Sequence, residues 1–312
     1  MPVFEPDAVA LVVGVHGIAQ QRKGEDVLRS EWEPPLRDGL RRSPRGAEAL
    51  RLLGRQGFAC AFYGDLFRAP GRALSVGDPF ITPEDLVEAD AELLMAWWRA
   101  AAETDEDVVG PDARGLGVPG LVQAGLRALS ASRFFAGLSE RALMFDLVQV
   151  RRYFNEPEIR AAARARVEEA IGPQTRVVVG HSLGSVVAYE VLCAHPEWQV
   201  ESFVTLGSPL GIRHLIYDRL DTPPVSATAP ASGRGNWPAC VRRWTNIADA
   251  GDVVALVKDL EPLFGPGPAP ESFSGYLVDN GARAHAVSPY LTTEQAGMAI
   301  GAGLLGEGRS QA

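Results

Sequence analysis

Cysteine, methionine and histidine are scarce in this 312-residue chain, with three, four and five copies. Cys60, Cys193 and Cys240 are odd in number, widely spaced, and each in or beside an apolar segment. That pattern excludes a disulfide framework and predicts buried free thiols. No histidine stands near a cysteine at metal-ligand spacing, so neither a metal nor another cofactor is implied. Positive charge is also short: 30 Lys and Arg face 39 Asp and Glu, a net charge of −9. Such a balance excludes a nucleic-acid surface and charge-driven binding to anionic membranes, and fits an uncharged ligand better. No apolar run reaches the ~18 residues of a membrane span. The N-terminus has no cationic segment, and its apolar stretch Ala8 to Val13 leads into Gly14-Val15-His16-Gly17 rather than a cleavage site. The expectation is a soluble, cytoplasmic protein with no transmembrane segment. Oligomeric state is not legible.

What the chain does have is apolar residues, 46% of the total, enough to bury a large core. Strand-like runs occur at Val9 to Val15, Gly57 to Tyr63, Arg176 to Gly180, Val200 to Leu206 and Val241 to Ile247. Most are continuously apolar, as central strands covered on both faces must be. Between them lie helical stripes, such as Leu28, Trp32, Leu36 and Leu40 four apart, and Ile159, Ala163, Val167, Ala170 and Ile171. The alternation predicts an α/β fold with a doubly wound, mostly parallel sheet flanked by helices, as a single domain over residues 1–312. Residues 65–152 interrupt that rhythm. They read as a helical insertion with helices around 83–102 and 132–152, separated by a Gly-rich connection over 110–125. An insertion there is placed to act as a cap. Its apolar clusters at 93–98 and 134–138 would serve mainly in helix packing, with some side chains available to an acyl pocket. Segments 221–238 and 262–272 read as mobile loops, and the tail after Gly301 as partly frayed.

The most informative stretch is Gly180-His181-Ser182-Leu183-Gly184. On composition alone it should arise roughly 0.2 times in such a chain, so the pentapeptide carries little weight by itself. Its setting carries more. The β-branched run Val177-Val178-Val179 precedes it, and the helix-like Ser185 to Leu192 follows, the strand–turn–helix context of a serine nucleophile elbow. Gly180 and Gly184 would give room for the turn, leaving Ser182 exposed at the strand's carboxyl end.

A serine hydroxyl needs a base, and the base needs an orienting acid. With the chain order serine, acid, histidine, His16 and His181 come too early, and His195 and His214 precede any acid in a late strand-end loop. His285 remains, just before a helix expected near Ser288-Pro289. Two acids follow the last strand-like run: Asp252, favoured because Val253-Val254 can anchor it, and Asp249 as the alternative, with the unchosen one capping the loop. Two backbone N–H groups are needed for an oxyanion hole. Leu183 follows the nucleophile, and Ile18 follows the first strand in Val13-Gly14-Val15-His16-Gly17-Ile18. Gly17 lets that loop bend, His16 fixes it by hydrogen bonding, and His181 packs beside the elbow.

Together with Thr205-Leu206-Gly207-Ser208-Pro209 and Asn246 to Val254, these stretches resemble the lipase-like serine esterases of the α/β-hydrolase superfamily. The likeness spans the sheet core but not residues 65–152 or 215–238, and Val253 stands where many relatives have proline. It implies that the Leu-Gly-Ser-Pro stretch lines the wall of the site. It also implies cofactor-free hydrolysis of a carboxylic ester through an acyl-serine intermediate, the partner being a hydrophobic acyl-ester small molecule or lipid. The alternatives are an acyltransferase using the same residues, and a non-catalytic ligand-binding or interaction module of the same fold.

Overall fold

The computed structural model of the chain describes residues 10–68, 86–111, 118–131, 140–221 and 234–306. Six parallel strands form one sheet: β1 Val12–Val15, β2 Phe58–Ala61, β3 Val177–His181, β4 Val200–Leu206, β5 Val241–Asp249 and β6 Phe273–Val278, in the order β2-β1-β3-β4-β5-β6. β1 sits between β2 and β3, with Val12 to Val15 facing Val177 to Gly180 in register. Because parallel neighbours need long crossovers, helices cover both faces.

Alternation along the strands sorts the core into two layers. Val12, Val177, Val179 and Val204 point to a layer covered by helices α1 Glu25–Arg42, α2 Gly46–Leu53, α8 Val287–Leu291 and α9 Glu294–Leu305. Val13, Val15, Val178 and Phe203 point to the other layer. There α6 Pro157–Ala170 and α7 Leu183–Ala194 pack, with α3 Glu88–Thr104, α4 Val118–Ala131 and α5 Glu140–Asn155 beside them. The α1 stripe read from the sequence is the buried one: Leu28, Trp32, Leu36 and Leu40 all face the core. All three cysteines are buried and unpaired.

Four expectations need correction. β6 was not foreseen. It is a short edge strand, Phe-Ser-Gly-Tyr-Leu-Val, whose Ser274-Gly275 breaks the apolar run and whose Tyr276 and Leu277 are exposed. The Gly-rich connection over 110–125 overlaps α4, where Gly125 allows close approach: a Cβ there would stand 3.1 Å from the Trp98 ring of α3. Residues 112–117 lie outside the described residues. The segment 262–272 has no regular element beyond a short 3-10 turn at Glu261–Leu263, but Phe264 plugs it into the core against Trp244, ring centroids 4.7 Å apart. The chain after Gly301 remains helical to Leu305, with Gly301, Gly303 and Leu304 buried. Of the remaining expectations, the cluster at 134–138 and most of the 221–238 segment fall outside the described residues.

One buried charge ties three helices together. The Glu190 carboxylate of α7 has no side-chain exposure and accepts hydrogen bonds from Tyr153 Oη of α5 at 2.6 Å and Arg160 Nε of α6 at 3.0 Å. The Asp221 backbone N–H supplies another at 2.9 Å. Removing one partner of a buried pair strands the other charge, at a cost of roughly 3–5 kcal/mol. Arg160→Met should therefore cost about that much in denaturant unfolding, and the double variant Arg160→Met/Glu190→Gln should recover a substantial part of it.

Candidate active site

The chain runs from β1 out to β2 on one side and returns past β1 to β3 on the other. Strand order thus reverses between β1 and β3, and the crevice at the carboxyl ends of such strands is where open α/β sheets bind ligands. The loop beginning at His16 leaves β1 there, and Ser182 leaves β3 beside it. Ser182 has φ +53° and ψ −132°, a strained setting for a residue with a side chain, between the end of β3 and the first turn of α7. Three glycines permit the crossing. A Cβ on Gly180 would meet Ser185 Cα at 2.5 Å, one on Gly184 would run into the carbonyl oxygens of Val15 and His16, and one on Gly17 would lie 2.6 Å from Ser182 Cβ. Ser185 Oγ braces the turn from inside, donating to the Ser182 carbonyl at 2.6 Å and pairing with Ser208 Oγ at 2.7 Å.

The structure brings Ser182, His285 and Asp252 into one hydrogen-bonded chain. His285 Nε2 lies 3.0 Å from Ser182 Oγ, and His285 Nδ1 lies 2.8 and 3.0 Å from the two carboxylate oxygens of Asp252. Asp252 is fully buried, and each oxygen has further donors: Val254 N–H at 2.9 Å on Oδ1 and Tyr290 Oη at 2.7 Å on Oδ2. Burial alone would push this carboxyl up. The charge and hydrogen bond of His285, the Tyr290 hydroxyl and nearby Lys258 outweigh it and hold Asp252 below the ordinary carboxylate range. Asp249 is not part of this chain. Its carboxylate accepts the Gly251 N–H at 2.7 Å and the Asn280 N–H, closing the loop after β5.

Leu183 follows the serine at the start of α7 and Ile18 lines the same cavity as Ser182, and neither backbone N–H meets an acceptor among the described residues. The loop bearing Ile18 is held on several sides. His16 Nδ1 donates to the Gly17 carbonyl at 2.6 Å and its Nε2 accepts the Tyr63 N–H at 3.1 Å, which fixes a neutral tautomer. The His16 ring stacks on Tyr63 with centroids 4.1 Å apart, and burial pushes its pKa down to about 4. Gln149 Oε1 of α5 accepts the Ala19 N–H at 3.3 Å. On the other side of the serine, His181 Nε2 donates to the His285 carbonyl at 2.8 Å, so it steadies the base's backbone. Burial, with the charge of His285, lowers the His181 pKa to about 3.

Ser182 and His285 open onto a cavity of about 340 Å³ whose wall includes Ile18, Trp32, Trp97 and Val287. Trp97 and Asp146 come from the segment between β2 and β3. The neighbours of Trp97 at 93–98 mostly pack in the core. The Leu-Gly-Ser-Pro stretch forms no part of that wall. Ser208 braces the elbow, and Gly207 leaves room for Asp252, whose Oδ2 would stand 2.6 Å from a Cβ there. Sequence reasoning missed Tyr290, Gln149 and Asp146. Tyr290 lies five residues after His285 in the same stretch, whereas the other two sit far away in a segment with no motif. Among the described residues no group of three or more His, Cys, Asp or Glu side chains suits a metal ion, and no helix is long and apolar enough to cross a membrane. Comparisons with known protein families, characterised proteins and solved structures give no match.

His16 makes stability depend on pH. Its folded pKa is depressed, so below the ordinary value of 6.5 the unfolded chain takes up a proton that the native state refuses until about pH 4. Stability is therefore lost as pH falls through that window, by about 2 kcal/mol at pH 5 from this one residue. Denaturant unfolding at pH 7 and pH 5 should show that loss. His16→Gln should be less stable at pH 7 and show a smaller change between the two pH values.

Proposed function

We propose that the protein is a serine hydrolase that cleaves carboxylic esters through an acyl-serine intermediate, with Ser182 as nucleophile, His285 as base and Asp252 as orienting acid. The observation carrying this reading is the unbroken hydrogen-bonded chain from Ser182 Oγ through both ring nitrogens of His285 to a buried, fully partnered carboxylate. We read the chain further as a lipase-like esterase of the α/β-hydrolase superfamily, on the elbow and its flanking motifs. The sheet itself does not argue for that superfamily over other α/β folds. Its strands are all parallel among the described residues, where that superfamily has one antiparallel strand.

In this mechanism Ser182 Oγ attacks the ester carbonyl while His285 Nε2 takes its proton. The developing imidazolium faces Asp252, already ionised and held by the Val254 N–H and the Tyr290 hydroxyl. The carbonyl oxygen gains charge next to the backbone N–H groups of Ile18 and Leu183, the latter at the N-terminus of α7. Collapse expels the alcohol, which takes the proton from His285. Water, activated by the same ring, then attacks the acyl-serine and releases the acid. No cofactor enters. The apolar wall around Trp32, Trp97 and Val287 suits an acyl chain of modest length.

Ser182→Ala should abolish both the turnover of short p-nitrophenyl esters and covalent labelling by a fluorophosphonate. Labelling that persists in this variant would overturn the assignment. The two acids are separable in the same assay. Asp252→Asn should lower kcat by about 10³–10⁴, the loss expected when the orienting carboxylate is removed. Asp249→Asn, which loosens only the loop, should stay within about tenfold of wild type.

A further inference from the structure

Lys258 stands behind the acid of the site. The chain from Ala250 to Leu260 forms neither helix nor strand, yet it closes on itself: Lys258 Nζ donates to the main-chain carbonyl of Asp252, six residues earlier. The backbone that carries this ammonium is set from the sheet. Trp244 Nε1 donates to Thr205 Oγ1 at 3.1 Å, Thr205 Oγ1 donates to Asn246 Oδ1 at 2.8 Å, and Asn246 Nδ2 donates to the Lys258 carbonyl at 2.8 Å. Thr205 and Asn246 are buried partners on the adjacent strands β4 and β5, so this polar chain ties Lys258 to the middle of the fold. One residue earlier, Val257 packs on Gly211, where an added Cβ would stand 2.5 Å from the Val257 Cβ. The half-buried ammonium is therefore held beside the acid, and because its hydrogen bond goes to a carbonyl, no close contact with a carboxylate cancels its charge.

We propose that Lys258 is a positioning residue for the reaction, its ammonium anchoring the main chain of Asp252 and opposing a second positive charge on His285, so that the base stays free in more acidic solution. This role presupposes that Ser182, His285 and Asp252 act as a triad. Asp252 has His285, Tyr290 and the Val254 N–H to keep it ionised whether or not Lys258 is charged, so the ammonium is felt chiefly as repulsion of the imidazolium. Burial pulls Lys258 below its ordinary value, while Asp252 and Asp249 favour its charged form. The other groups around the base leave this effect in place. His181, ring centroid 4.9 Å from His285, is pushed down to about 3 by burial and stays neutral. Burial beside Asp252 keeps the Tyr290 phenol protonated, and the Asp249 carboxylate is turned to the Gly251 and Asn280 N–H groups. In the cavity Lys23 and Glu31 form an ion pair and Arg283 is exposed to solvent. Asp146, which burial pushes up to about 7, titrates in every variant alike, so a shift between variants isolates Lys258.

The test follows two rates against pH in the full-length protein: kcat/KM for p-nitrophenyl butyrate, and covalent inactivation by a fluorophosphonate, which reads the same base without an ester substrate. In Lys258→Gln, which keeps a neutral donor near the Asp252 carbonyl, the acidic limb of both profiles should move to higher pH by about half a unit to one unit, the scale of one charge acting across a partly buried site. Lys258→Arg, which keeps the charge, should retain the limb of the wild type. An unmoved limb in Lys258→Gln overturns the proposal whatever the height of the plateau, since a merely structural tie lowers the rate at every pH alike. An equal shift in Lys258→Gln and Lys258→Arg also overturns it, because the shape of the side chain and not its charge would then be the cause. A wild type that the fluorophosphonate labels at no pH overturns the triad reading and this role together, whereas labelling with an unmoved limb overturns the role of Lys258 alone.

Discussion

The backbone of Ser182, at φ +53° and ψ −132°, is the constraint around which the site is arranged. A conformation of that kind costs on the order of 1–3 kcal/mol for a residue with a side chain and persists only where its surroundings leave no alternative. Those surroundings are an interlock between the ends of two neighbouring strands. There is no room for a side chain at Gly184 against the carbonyls of Val15 and His16, or at Gly17 against Ser182, so the turn after β3 and the loop after β1 are packed together. The parallel register Val15↔Gly180 sets this contact from below. The same crowding that strains the serine therefore fixes the position of Ile18 relative to it. A larger residue at Gly17, Gly180 or Gly184 would displace both at once.

Two buried carboxylates share the site, and their surroundings drive them in opposite directions. Asp252 has His285, Tyr290 and the Val254 N–H aimed at it and is held ionised. Asp146, buried to a similar degree but without donors, is pushed up. Desolvation is the largest influence on both, and the partners of Asp252 together with the nearby charge of Lys258 separate them. Tyr290 adds a structural link. Its hydroxyl accepts the Asp249 N–H at 2.7 Å while donating to Asp252, so α8 and the end of β5 are tied through the acid itself.

Much of this was legible in the sequence because the relevant signals are local. A strand, a turn with glycines at fixed offsets and a helix lie within about twenty residues of Ser182, and the first-strand loop has a similar compact pattern. Strands β1 to β5 were visible for the same reason, most of them continuously apolar runs. β6 was not, since its six residues are broken by Ser274-Gly275 and follow a Pro/Gly-rich segment. α4 was hidden by its glycines, which read as breakers although Gly125 allows contact with Trp98. Asp252 and Asp249 differ little in local sequence. What distinguishes them is the direction each carboxylate faces, towards His285 or towards the Asn280 N–H, and that is decided by the loop's path. Gln149 and Asp146 left no local signal at all. Their roles arise from the long-range docking of α5.

That docking bears on how the segment between β2 and β3 can act. α5 is bound at its C-terminal part by Tyr153 to the buried Glu190 of α7, and at its middle by Gln149 to the loop after β1. Asp146, Gln149 and Tyr153 lie three and four residues apart, so one face of a single helix carries a cavity-lining residue, the brace of the Ile18 loop and the anchor to α7. A helix fixed at two points to the strand-end loop and the elbow helix is part of the site's wall. Swinging it away would break a buried charge network and release the Ala19 N–H.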